Sequence, residues 1–141
     1  MPIPSWKSGV QEIAENVFAY VHSGVGWDIC NSGFIVEDDG VMVIDAMMVA
    51  SLVDPYIKEI RKVTNKPIRY VVNTHHHVDH SFGNQFYLPT EVVSHRGCRE
   101  AMLTRGADIN LLSERWPQYR EDWLKTQLTP ATVTYEDKMI V

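Results

Sequence analysis

The sequence is poor in cysteine. Cys30 and Cys98 are the only two in 141 residues, 68 positions apart. That separation fits neither a zinc ribbon nor a redox pair, and two free buried thiols of a reducing compartment is the reading, with a single disulfide as the alternative. No apolar stretch approaches the ~18 residues of a membrane span. No half of the chain is basic: residues 1–70 carry six Lys+Arg and nine Asp+Glu, and residues 71–141 carry seven and nine. The formal net charge is −5, so a nucleic-acid partner is not expected. Repeats and low-complexity tracts are missing. The start, Met1-Pro-Ile-Pro-Ser-Trp-Lys7, has no charged opening followed by an apolar run, so it does not read as a leader. The expectation is a cytoplasmic protein. A periplasmic form with its leader removed, or a segment of a longer chain, would read the same.

Apolar residues at 45% and charged residues at 22% are the balance of a globular core with a solvated surface, and the length suits one domain. Residues 9–45 read as β structure. Val17–Val21 is one run. Phe34–Val36 and Val41–Ile44 flank Glu37-Asp-Asp-Gly40, a hairpin signal. Both arms are nearly all apolar, which predicts cover on both faces. Over 49–64 the residues Leu52, Val53, Tyr56, Ile57, Ile60 and Val63 recur at helical steps, with Asp54-Pro55 expected in the first turn. Ile68–Asn73 then reads as a strand, and strand, helix, strand implies a crossover to a parallel neighbour. Glu91–Ser94 is a further strand, Arg96–Leu103 a helix, and 107–128 two helical pieces parted at Pro117. Val133–Tyr135 begins another strand.

The chemistry is concentrated in Asn73-Thr-His-His-His-Val-Asp-His80. His75 and His77 are two apart, and in an extended segment alternate side chains share a face, so two imidazoles can meet one cation. Asp79 and His80 follow where the chain turns into Ser81-Phe-Gly83. Imidazole with carboxylate suits Zn²⁺, Fe²⁺ or Mn²⁺. The string also lies just past the predicted parallel strand, where open α/β sheets place their sites. With six His and nine Asp in the chain, composition alone would produce such a string in about 7 of ten thousand sequences. A histidine-rich solvated loop is the bland alternative.

Thr74-His-His-His-Val-Asp-His80, preceded by Val71-Val-Asn73 and followed by Gly83-Asn84, resembles the metal-binding signature of the metallo-β-lactamase superfamily. Val43-Ile-Asp-Ala46 is similar to an upstream landmark, and Thr90–His95 to the next strand and turn. The likeness covers roughly residues 10–100. It implies an α/β fold: the amino-terminal half of an αββα sandwich, with a helical insertion near 105–129. The whole chain, 1–141, is expected to be a single incomplete domain: a β-rich core over 9–95 with metal loop 74–80, a helical segment over 96–129, and the next strand beginning in 130–141. The resemblance also implies Zn²⁺, one or two ions, with Fe or Mn as alternatives. His75 and His77 would bind the first ion, and Asp79 and His80 the second. Asp79 would also orient the attacking water, and Asp45 would lie beside the site and orient the loop. The family's remaining ligands come from its second half and have no counterpart here, since no Gly-His-Ser/Thr string follows His80.

The expected activity is hydrolysis of an ester, thioester, lactam or related bond in a small-molecule substrate. Iron-dependent persulfide oxidation is an alternative that uses the same string. A non-catalytic, truncated metal-binding fragment is another, and it predicts an exposed apolar face through which the chain pairs. Among the remaining histidines, His76 reads as a solvated spacer pointing away, His95 as a turn residue and His22 as structural. Gly24-Val-Gly26 reads as a hairpin turn, with a mobile loop carrying Trp27 as the alternative. Trp116 and Trp123 read as the buried stripe of a small helical core, with a roof over the site as the alternative.

Overall fold

The computed structural model describes residues 7–22 and 29–140. The readings of Gly24-Val-Gly26 and Trp27 therefore lie outside the described residues.

Seven strands form one mixed sheet in sequential order. β1 (Gly9–Ala14), β2 (Val17–Val21), β3 (Ser32–Val36) and β4 (Val41–Ile44) make an antiparallel meander. β5 (Ile68–Asn73), β6 (Glu91–His95) and β7 (Val133–Tyr135) continue it in parallel from β4. The break in direction has a local cause. Short turns reverse the chain between β1 and β2 and between β3 and β4, whereas α1 (Ala50–Val63) carries the chain back across the sheet before β5.

The apolar stripe of α1 buries Val53, Tyr56 and Ile60 completely against Phe34, Val41, Val43 and Val71. Each such side chain contributes about 1.5–3 kcal/mol by leaving water. The Tyr56 hydroxyl donates to the Gly33 carbonyl at 2.6 Å, which ties helix to sheet. Pro55 does not open the helix. It sits inside the second turn, where it forgoes only the bond to the carbonyl of exposed Ser51.

Among the described residues the hairpin is covered on one face rather than two. Phe34, Val41 and Val43 face α1 and are buried, while Ile35, Met42 and Ile44 alternate with them and stay half-exposed. Cross-strand register extends that second face to Val17 and Val72.

α2 (Val78–Ser81) and a 3-10 stretch (Phe82–Tyr87) follow β5, and α3 (Arg96–Arg105) follows β6. The segment read as two pieces parted at Pro117 is α4 (Ile109–Arg115), a 3-10 turn (Pro117–Tyr119) and α5 (Arg120–Trp123). Its helices build a second small core. Trp123 is fully buried there with Met48, Val49 and Phe82, and Val78, Ile109, Leu112 and Trp116 pack around them. Trp123 is thus a prop behind the loop that carries residues 75–80, and its burial removes it from contact with any substrate. Replacing Trp123 with alanine is expected to destabilise the protein by about 3–5 kcal/mol, read as a lowered midpoint in urea. A shift under about 1 kcal/mol would show that this core is dispensable. Among the described residues no helix is long and apolar enough to cross a membrane.

Candidate metal centre

The site lies beyond the carboxyl ends of β4 and β5. The turn after β4 supplies Asp45, and the turn after β5 supplies residues 74–80. Asp45 takes a left-handed φ of 62°, which aspartate tolerates better than most residues. Met47, two positions on, has φ 61°. This bent backbone carries the Asp45 carboxylate under the loop, where it is 5% exposed. Its Oδ1 accepts the Thr74 backbone N–H at 2.8 Å, and its Oδ2 lies 2.8 Å from both Thr74 Oγ1 and His80 Nδ1.

These contacts orient two imidazoles. The Thr74 hydroxyl donates to Asp45, so its oxygen accepts from His75 Nδ1 at 3.1 Å. His75 Nε2 is left with a free lone pair. His80 likewise donates from Nδ1 to Asp45 and presents Nε2, which lies 3.2 Å from Asp79 Oδ2. A carboxylate fixing the tautomer of a ligating histidine is the usual support behind a metal site.

The rings gather. His75 stands 4.6 Å from His77 and 4.1 Å from His80, centroid to centroid. Strand alternation does not bring this about: residues 74–76 form a bend, and His77 is the residue that opens α2. The chain turns because the Ser81 hydroxyl and the His80 and Ser81 amides all bond the His77 carbonyl. Ala46 N–H and Asn73 Nδ2 both donate to the His80 carbonyl, at 2.8 and 3.1 Å. Asn73 and Asn84, both buried, exchange two amide bonds of 2.9 and 2.8 Å.

Charge follows the same geometry. Burial alone would lower the His80 pKa, but hydrogen bonds to Asp45 and Asp79 and their charges lift it to about 9. Burial works to raise the Asp79 carboxyl, and the His80 hydrogen bond and charge prevail and lower it. Burial, with the charges of His80 and His77, lowers His75. The Asp45 and Asp79 carboxylates thus stabilise a positive charge on the His80 ring.

His76 is not a free spacer. Its Nε2 lies 3.1 Å from Arg105 Nη1 at the end of α3, and burial together with that guanidinium lowers its pKa. His95 caps α3: Nδ1 accepts from the Gly97 amide at 3.0 Å and Nε2 bonds the Glu136 carbonyl at 2.7 Å. His22 packs edge-on against Tyr20. Neither joins the cluster.

Cys30 does, and sequence reasoning missed it. Cys30 and Cys98 are both free and buried, but the Cys30 thiol donates to the Asp79 carbonyl at 2.8 Å. Donor atoms of Cys30, Asp79 and His80 all lie within 4.8 Å of one another. Burial pushes the thiol up to about 12, against hydrogen bonds from Ser32 and the Met47 backbone. No local spacing betrays this, because 49 positions separate Cys30 from Asp79.

Residues 25–115 match the sequence profile of the Metallo-beta-lactamase superfamily. The chain belongs to that superfamily. Solved structures bear the same fold. The DIM-1 metallo-beta-lactamase exposed to ceftazidime superposes with TM-score 0.64 at 14% identity, over 94% of this chain and 54% of that one. The sec-alkylsulfatase Pisa1 of a Pseudomonas species gives 0.59 at 23%, over 75% and 17%. The metallo-beta-lactamase FIM-1 of Pseudomonas aeruginosa, in a mono-zinc form, gives 0.57 at 18%, over 90% and 50%. This superfamily member thus spans about half the length, or less, of the solved proteins it matches. Its mixed α/β sheet is the amino-terminal portion of their fold, as the signature around residues 74–80 implies.

Proposed function

We propose that the protein is a zinc-dependent hydrolase acting on an ester, thioester, lactam or related bond of a small molecule. Superfamily membership supports metal-dependent hydrolysis in general. The observation that carries the rest is the gathering of His75, His77, Asp79 and His80 at the carboxyl ends of β4 and β5. The donor set fits: imidazole nitrogens and a carboxylate, two of the rings oriented from behind through Asp45. His75 and His77 would hold one ion, and Asp79 and His80 a second.

Zinc bound there would supply Lewis acidity, which lowers the pKa of bound water to about 7. Asp79 would orient the attacking water and could take up its proton, while its Oδ2 lies beside His80 Nε2 at 3.2 Å. Asp45, through its bonds to Thr74 and His80, keeps the His75 and His80 rings in register. The half-exposed apolar face of Val17, Ile35, Met42, Ile44 and Val72 supports a further protein layer packing on the sheet in the active protein.

Metal analysis, with turnover measured against a panel of esters, thioesters and lactams, tests the reading. His77→Ala is expected to weaken zinc binding and lower turnover by about 100-fold or more. Undiminished turnover in that variant would end the proposal, and iron with oxygen uptake on a persulfide would redirect it to sulfur oxidation.

A further inference from the structure

We infer that Cys30 is a third protein ligand, as thiolate, to the metal held by Asp79 and His80. The inference rests on the metal-binding reading above and adds a donor that lies far from the His-rich string in sequence.

Three observations converge. The Cys30 sulfur, an Asp79 oxygen and a His80 ring nitrogen all lie within 4.8 Å of one another. Bond lengths of about 2.0–2.3 Å put the donors of one tetrahedral zinc ~3.3–3.8 Å apart, so movements of about an ångström would close the set. Second, the thiol already points into the site. It donates to the Asp79 carbonyl at 2.8 Å and lies 3.5 Å from Ser32 Oγ. The Ser32 hydroxyl beside the sulfur can donate to it and stabilise a thiolate. Third, Asp45 bonds His80 Nδ1, which leaves Nε2 on the Asp79 side of the ring. As the sulfur–metal bond forms, the thiol proton passes to solvent.

The chemical consequence is selectivity. Thiolate, imidazole and carboxylate on one ion favour zinc over manganese or magnesium, which prefer oxygen. The two metal positions then differ in kind: the His75–His77 side offers nitrogen alone, and the Cys30–Asp79–His80 side offers sulfur, oxygen and nitrogen.

Cobalt(II) is the probe, because thiolate ligation adds a near-ultraviolet sulfur-to-metal charge-transfer band to the visible d–d bands. Cobalt-loaded protein is expected to show both. Cys98→Ser keeps both, and the sulfur band can then come only from Cys30. Cys30→Ser is expected to lose the sulfur band, keep the d–d bands, and bind zinc at least tenfold more weakly at one position. Visible d–d bands without a sulfur band in the Cys98→Ser protein overturn the assignment of Cys30 and leave the metal site standing. So does a sulfur band that persists in Cys30→Ser. Failure of the unaltered protein to take up cobalt or zinc overturns both readings together. The Cys98→Ser spectrum decides the matter even if Cys30→Ser does not fold.

Discussion

Gly83→Ala is expected to destabilise the protein by about 3 kcal/mol or more and, on the proposed metal-binding reading, to lower zinc affinity in the same step. A methyl group at Gly83 would sit 2.0 Å from the Ala46 carbonyl oxygen and 2.9 Å from its carbon. These are backbone atoms, and they cannot rotate aside. Gly83 N–H also donates to the Met47 carbonyl at 2.8 Å, so the two segments are held in contact from both directions. Separating them would move Asp45 away from Thr74 and His80, because Asp45 is joined directly to Ala46. Urea denaturation and a competition titration for zinc measure the two effects. A variant with wild-type midpoint and affinity would show that this close approach does not position the site.

Asp45→Asn separates orientation from folding. Asparagine tolerates the left-handed φ that Asp45 adopts, so little backbone strain is added. Its single carbonyl oxygen cannot serve the Thr74 amide, the Thr74 hydroxyl and His80 Nδ1 together. Where the amide NH₂ faces His80 Nδ1, the ring must move its proton to Nε2, the atom presented to Asp79. A wrong tautomer of this kind costs about 10⁴ in rate in a serine-protease triad, and outer partners of metal ligands typically contribute 10–100-fold in affinity. Zinc affinity is therefore expected to fall by about 10–100-fold and turnover by at least about 100-fold, with the urea midpoint little changed. Zinc binding and turnover equal to wild type would remove Asp45 from any orienting role.

The two variants expose different kinds of dependence. Gly83 acts through space that only a hydrogen atom can fill, whereas Asp45 acts through which nitrogen carries a proton. Both converge on His80, whose carbonyl is held by Ala46 and Asn73 and whose ring is held by Asp45.

Local sequence determined much of this protein. The period of Val53, Tyr56 and Ile60 specified α1 and its buried face, since burial follows helical geometry residue by residue. The Asp-Asp-Gly turn and its flanking apolar runs specified the β3–β4 hairpin, and helix-length spacing between β4 and β5 specified their parallel pairing. The string from His75 to His80 was legible because its donors are neighbours in the chain. Other features depended on contacts between distant segments, which no short window contains. The hairpin is covered on one face only, because in these residues α1 is what packs on it. His75 and His77 meet through a bend stabilised by Ser81, not through alternation along a strand. Arg105 reaches His76 from the far end of α3. Cys30 stands beside Asp79 because antiparallel pairing with β4 puts the start of β3 at the end of the sheet where the turn after β5 lies, and a thiol carries no mark in its own neighbourhood of what will be folded against it.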